Sequence, residues 1–147
     1  MRQVIMSGYF KTGELMTDMS MKTDNDWKSK LTPEQYRVTR KGGTEPPHSG
    51  ILLHNPHKGI YSCVCCGNNL FDSHDKFDSG SGWPSFTNPL AQENIHQRED
   101  TSHGMIRTEV QCSRCGAHLG HVFDDGPGPG KKRYCINSIA MNFEKAD

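Results

Sequence analysis

The sequence predicts a mainly antiparallel β domain, opened by one short helix and stapled by a four-sulfur metal site. Three observations predict it. Two Cys-x-x-Cys-Gly turns, Cys63-Val64-Cys65-Cys66-Gly67 and Cys112-Ser113-Arg114-Cys115-Gly116, stand 45 residues apart. The thiolates of each turn converge on one side, and the following glycine allows positive φ where the turn closes. From about residue 50 onward, short alternating segments are punctuated by Gly, Pro, Asn and Asp. No strand–helix–strand alternation is present, which argues against a thioredoxin-like or Rossmann architecture.

Residues 1–26 hold five of the seven methionines and no periodic apolar pattern, and a flexible tail is expected there. Glu14, Asp18, Asp24 and Asp26 speak against an acid-poor transit peptide. Thr32-Pro33-Glu34-Gln35 is a helix start: a threonine cap, proline in the first turn, and glutamine placed to close a capping box. The helix is expected to reach about Lys41, where Gly42-Gly43 stops it. Strands are expected near residues 51–54, 59–64, 76–78, 95–98, 105–112, 118–123 and 133–143, with Asp125-Gly126-Pro127-Gly128-Pro129-Gly130 as the strongest turn between them. A chain of 147 residues makes one domain, placed at 27–147.

Lysine plus arginine balance aspartate plus glutamate at 17 each, so no basic field suits nucleic acid or a membrane surface. No apolar run is long enough for a membrane span or a signal-peptide core. Apolar residues are 33% of the chain, a thin supply for a core, and domains short of core recruit metals or disulfides. Six cysteines would also make three disulfides in a secreted protein. The repeated knuckle spacing favours one structural Zn²⁺ on Cys63, Cys66, Cys112 and Cys115 instead, and with it a reducing compartment, the cytoplasm. Four thiolates leave such a zinc no open position for water, so its expected role is structural, clamping distant parts of the sheet.

Cys135 remains outside the metal set. Strand periodicity places Arg133, Cys135 and Asn137 on one face, with Tyr134 and Ile136 toward the core. A nearby cation lowers a thiol pKa, so Arg133 is expected to favour the thiolate. On these residues alone a reactive thiol and a half-buried structural cysteine stand equal. His118 and His121 lie three apart and point opposite ways on a regular strand, whereas a bulge at Gly120 aims both at one site. Since the knuckles complete the metal, proton-transfer or hydrogen-bonding roles suit them better than ligation. Trp83 sits between Gly80-Ser81-Gly82 and Pro84, as a core aromatic or as a wall for a small apolar group such as a methyl.

Gly80-Ser81-Gly82-Trp83-Pro84-Ser85-Phe86, His118-Leu119-Gly120-His121-Val122-Phe123 and Arg133-Tyr134-Cys135-Ile136-Asn137-Ser138 together resemble the methionine-R-sulfoxide reductases, the MsrB family. Gly43-Thr44-Glu45-Pro46-Pro47 and both knuckles match as well, so the resemblance covers roughly residues 31–143 in order. It implies two antiparallel sheets in a small barrel-like or sandwich domain, a structural zinc, and a catalytic cysteine on a C-terminal strand. Carried over, Cys135 is the nucleophile and His121 and Asn137 its polar partners. His118 helps position the substrate oxygen, Trp83 receives the S-methyl group, and Phe123 and Arg133 complete the pocket. The implied reaction is thiol-dependent reduction of methionine-R-sulfoxide, mainly in oxidised proteins or peptides, through a cysteine sulfenic acid. Thioredoxin or another thiol is the implied reductant, and a monomer is expected. One departure stands out: many relatives carry a resolving cysteine where this chain has Ser81, and the remaining cysteine, Cys65, is lodged inside the first knuckle.

Readings from other classes are a zinc-stapled binding module, a nucleic-acid zinc module and a dithiol–disulfide exchanger. A binder has no need for a thiol flanked by Arg133 and Asn137. A zero net charge disfavours nucleic acid. An exchanger needs knuckle thiols free of metal.

Overall fold

Two antiparallel sheets face each other across an aromatic core, and the chain changes sheet at a corner beside Cys135. A computed structural model describes residues 23–146. The three-stranded sheet has the order β2–β1–β9, from β1 (Gly59–Cys63), β2 (Asn69–Asp72) and β9 (Met141–Lys145). The six-stranded sheet has the order β3–β4–β8–β7–β6–β5, from β3 (Lys76–Phe77), β4 (Ser85–Phe86), β5 (Ile95–Asp100), β6 (Arg107–Cys112), β7 (His118–Phe123) and β8 (Arg133–Ile136). The mainly β class with two antiparallel sheets is therefore as expected. The ring of Phe71 on β2 stacks on that of Phe86 on β4, centroids 4.4 Å apart, and Tyr61 meets Phe86 edge-on at 5.2 Å. Both phenylalanines are fully buried. Fully burying such a side chain contributes about 1.5–3 kcal/mol, so these contacts bind one sheet to the other.

The helix α2 (Pro33–Lys41) has the expected start and stop: Thr32 and Gln35 form the capping box, and Gly42 closes the helix at φ 71°. A preceding helix, α1 (Asp24–Lys30), is additional to the reading of the sequence. Thr23 and Asp26 form its own capping box, and it buries Trp27. The expectation of a tail over residues 1–26 lies outside the described residues up to residue 22, and residues 24–26 are the first turn of α1. The guanidinium of Arg40 lies 4.4 Å over the Trp27 ring, joining the two helices. Among the described residues no helix is long and apolar enough to cross a membrane.

Three expected strands need correction. Residues 51–54 form a turn, with Leu53 N–H donating to Gly50 O and Ile51 93% exposed; three consecutive apolar residues there have no partner edge to pair with. The segment 133–143 is not one strand. It breaks after β8 into a 3-10 turn at Ser138–Ala140, and β9 then runs in the other sheet. The strand expected at 105–112 starts two residues later, at Arg107. Strands β2 and β4 carry no strong signal, being four and two residues long amid Asn, Asp and Ser.

Candidate active site

The site is built on the middle of the six-stranded sheet. On β8, Tyr134 and Ile136 are buried in the core while Arg133 and Cys135 turn to the opposite face, as period-two alternation requires. In the β7–β8 pairing His121 lies directly opposite Cys135, and on the other side of β8 Ser85 pairs with it. The backbones meet closely at Gly120, where an added Cβ would stand 2.0 Å from the Cys135 carbonyl oxygen. The pairing of β6 with β7 shifts between Val110, opposite Gly120, and Gln111, opposite His118, leaving Leu119 as the extra residue of a bulge. That bulge brings both imidazoles to one face, with ring centroids 5.5 Å apart.

The corner after β8 positions Asn137. Its Oδ1 accepts from Glu45 N–H at 3.0 Å and its Nδ2 donates to Leu119 O at 2.9 Å, so both ends of the amide are held by backbone. Glu45 is buried and ties three parts together. Its carboxylate accepts from Ser138 N–H and Ile139 N–H, and its carbonyl accepts from the Trp83 indole N–H at 3.0 Å. Trp83 follows Gly82, which adopts φ 96°, a conformation open to glycine, at a point where an added Cβ would stand 2.8 Å from Pro47 Cβ.

A cavity of about 240 Å³ opens between these elements. Trp83, His121, Phe123, Arg133, Cys135 and Asn137 all line it. Thr44, Ser81, Arg107 and Gly120 complete the wall. His118 is not among the lining residues. It lies behind His121, with its Nδ1 2.6 Å from Glu109 Oε2 and its Nε2 buried without a partner.

At Cys135 the lowering expected from Arg133 is present but does not decide the thiol pKa. Burial raises the thiol pKa and outweighs the lowering by Ser81, whose hydroxyl lies 3.7 Å from Sγ, and by Arg133. Arg133 is also held by other groups: Asp125 takes its Nε and Nη2 at 2.8 and 3.2 Å, and the guanidinium lies 4.5 Å over the Phe123 ring. His121 is likewise lowered, first by burial, with Asp100 opposing that shift; its Nε2 stands 2.8 Å from Asp100 Oδ2. The same contact holds Asp100 well below the usual carboxylate range. Two imidazole–carboxylate pairs thus lie side by side, each reaching across strands: Glu109–His118 between β6 and β7, Asp100–His121 between β5 and β7. Asp100 and Glu109 carry no expectation from the sequence, while Glu45 and Asp125 enter it only as parts of a matching segment and of a turn. For the first two a signal exists, because Arg98 and Asp100 on β5 and Arg107 and Glu109 on β6 repeat at strand period, which marks one charged face.

At the far end of the same strands, the sulfurs of Cys63, Cys66, Cys112 and Cys115 all lie within 4.8 Å of one another. Cys63–Cys115 and Cys66–Cys112 are 3.7 and 3.5 Å apart. A tetrahedral ion with metal–sulfur bonds of ~2.3 Å needs sulfurs ~3.8 Å apart, so the set fits a four-coordinate, thiolate-binding metal. Cys63 and Cys66 flank the β1–β2 turn and Cys112 and Cys115 the β6–β7 turn, so the cluster joins the two sheets rather than two parts of one. Arg40 Nη2 donates to Cys115 O at 2.9 Å and Asn68 Nδ2 to Cys112 Sγ at 3.5 Å, which orients the ligand turns. Cys65 is fully buried inside this knuckle.

A family model described as the SelR domain matches residues 31–145. The peptide methionine sulfoxide reductase MsrB of Methanosarcina barkeri is 56% identical over 123 residues, which are 84% of this chain and 87% of that protein. Its counterpart in Methanosarcina mazei is 56% identical over 126 residues, 86% and 90% of the two chains. That of Hahella chejuensis is 54% identical over 130 residues, 88% and 94%.

Proposed function

Because the chain belongs to the SelR-domain, MsrB family of peptide methionine sulfoxide reductases, we propose that it reduces the R epimer of methionine sulfoxide in oxidised proteins, with Cys135 as nucleophile. The observation that carries this reading is the placement of His121 directly across from Cys135, at the wall of a cavity that Trp83 also lines.

Cys135 gives up its proton and attacks the sulfoxide sulfur; the oxygen needs a proton as its bond to that sulfur weakens. His121 is placed to take the thiol proton and return it to the oxygen. Oxygen passes from the methionine sulfur to Sγ, methionine leaves, and Cys135 becomes a sulfenic acid. Two external thiols then restore it, yielding water and one disulfide, with thioredoxin as the proposed donor. The S-methyl group packs on Trp83, and Phe123 closes the apolar side. Asn137 holds the corner that aims Cys135, while His118 supports the imidazole in front of it. Handedness follows from fixing three substituents: methyl toward Trp83, oxygen toward His121, and the remaining side chain outward.

A protein-bound substrate suits the site because both arginines of its lining already face a carboxylate, Arg133 paired with Asp125 and Arg107 with Asp100, which disfavours the carboxylate of a free amino acid. We assign Zn²⁺ to the four-cysteine site, where it holds the sheets together and takes no part in the reaction. A reducing compartment, the cytoplasm, suits six cysteines of which none is in a disulfide. Residues 27–147 form the reductase domain in this reading.

Separate steady-state assays of the two methionine sulfoxide epimers in a peptide, with a chemical dithiol as reductant, test the proposal. Turnover of the R epimer alone is expected. Equal turnover of both, or of neither, refutes it.

A further inference from the structure

Asp100 stands at the end of β5, two strands away from the histidine that faces the thiol, yet its carboxylate reaches that ring. Its Oδ2 lies 2.8 Å from His121 Nε2. The same oxygen lies 3.5 Å from Arg107 Nη2, and Oδ1 accepts from Ser102 N–H at 3.0 Å. The carboxylate is therefore fixed from three directions and is largely shielded from solvent, with 19% of the side chain exposed.

We propose that Asp100 is a positioning residue for the reduction: it binds the Nε2 proton of His121 and so reserves Nδ1 as the ring nitrogen that exchanges a proton with Cys135 and the substrate oxygen. The inference rests on the proposed reductase reading. A carboxylate accepts and does not donate, so the neutral imidazole beside it carries its hydrogen on Nε2. When Nδ1 takes the thiol proton the ring becomes a cation, and the carboxylate across Nε2 stabilises it. Delivery of that proton from Nδ1 to the departing oxygen returns the ring to the starting tautomer, so no proton is gained or lost over the step.

The charged groups around His121 leave this role to Asp100. Arg107, on β6, disfavours the imidazolium, as does His118 on the same strand as His121. Glu109, also on β6 and in register with His121, is occupied by His118 at 2.6 Å and by Arg98 at 2.7 Å. On β8 Arg133 is paired with Asp125, and Cys135 is the reacting group itself. Burial lowers the His121 pKa, and Asp100 is the group whose hydrogen bond opposes that shift. Without it the ring would be a poorer carrier of the proton near neutral pH.

Asp100→Asn is the discriminating variant. An asparagine oxygen still accepts from Ser102 N–H, so the turn at the end of β5 is kept, whereas the amide nitrogen turned to His121 donates and drives the imidazole to the Nδ1–H tautomer. Ring-nitrogen NMR of the full-length, metal-loaded protein reads that tautomer without any substrate. The wild type is expected to show His121 as the Nε2–H form, and Asp100→Asn to show the Nδ1–H form with its titration moved to lower pH. In single-turnover reduction of the R-sulfoxide, Asp100→Asn is expected to slow the step by roughly 10²-fold or more, and Asp100→Glu to recover part of the rate. A wild-type His121 carrying its hydrogen on Nδ1 would overturn the proposal. So would an Asp100→Asn protein that keeps its metal and melting temperature and reduces substrate at the wild-type rate. Were the R-sulfoxide not a substrate at all, the reductase reading would fall while the NMR result still decided the Asp100–His121 linkage.

Discussion

The two cysteine sites occupy opposite ends of the same strands and are built on different principles. At the metal end, two short turns bring four sulfurs together, and each turn is complete within five residues of sequence. At the thiol end the pocket around a single sulfur is assembled from β6, β7, β8, the Trp83 loop and Thr44, with Asp100 on β5 reaching His121 from outside it. From Ala117 at the metal end to His121 beside the thiol is four residues of β7, about 13 Å of extended chain. The four-cysteine cluster stands between the two sheets, at the end of strands that run on to the candidate active site. Structure at one end and chemistry at the other therefore respond differently to the same kind of mutation.

The largest expected contrast is between a ligand cysteine and the thiol. Cys112→Ser removes one metal ligand. Apparent structural zinc affinities of ~10–16 kcal/mol exceed or match the ~5–15 kcal/mol net stability of a typical domain, so the variant is expected to lose metal and cooperative folding together. Near-UV circular dichroism and metal analysis check this; a folded, metal-free Cys112→Ser would break the comparison. Cys135→Ser, in contrast, is expected to keep its metal and melting temperature and to lose all reduction, since a hydroxyl is neither ionised nor oxidisable at neutral pH. His121→Ala is expected to keep the fold and slow the reaction by roughly 10²–10⁴-fold, measured by single-turnover kinetics.

Alkylation sharpens the same contrast through pH. The folded pKa of Cys135 is raised above the ordinary thiol value of 9.0. Its thiolate fraction at neutral pH is therefore small and grows about tenfold per pH unit. Iodoacetamide labelling of Cys135 in the substrate-free protein is expected to rise across pH 7–9 without a plateau. The four ligand thiolates are expected to stay unlabelled until a chelator removes the metal. A plateau for Cys135 near neutral pH would show that Arg133, despite its pairing with Asp125, overcomes burial.

The smallest expected effect is that of Cys65→Ser. Cys65 is enclosed by the four-cysteine knuckle, while the residue 3.7 Å from the Cys135 sulfur is Ser81, whose hydroxyl cannot form a disulfide. On the proposed reading recycling falls to an outside thiol, and Cys65→Ser is expected to retain wild-type multiple turnover. A collapse of turnover with thioredoxin, at unchanged metal content, would assign Cys65 a place in the cycle.

What could be read from the sequence follows the same division. The metal ligands are spaced within tight turns, so residue order alone identifies them. The alternation of Arg133 to Ile136 likewise predicts which side chains leave the core, because strand period two is a local property. The break at Ser138–Ala140 is not local: Glu45, more than ninety residues away, receives the N–H groups of that turn, and no pattern within 133–143 announces it. Asp100 reaches His121 only through the β5–β6–β7 register, including the bulge at Leu119. The raised thiol pKa is not local either, because it comes from burial of Cys135 by elements distant in sequence, which outweighs the lowering by the neighbouring Arg133.

Mass analysis after one turnover without reductant tests the central claim most directly. The metal-loaded protein is mixed with each sulfoxide epimer in a peptide, and a sulfenic-acid trap is added before digestion. One equivalent of methionine from the R epimer, none from the S epimer, and the trap attached at Cys135 is the predicted result. Product from the S epimer, a trap elsewhere, or a Cys65–Cys135 disulfide as the main species would contradict it.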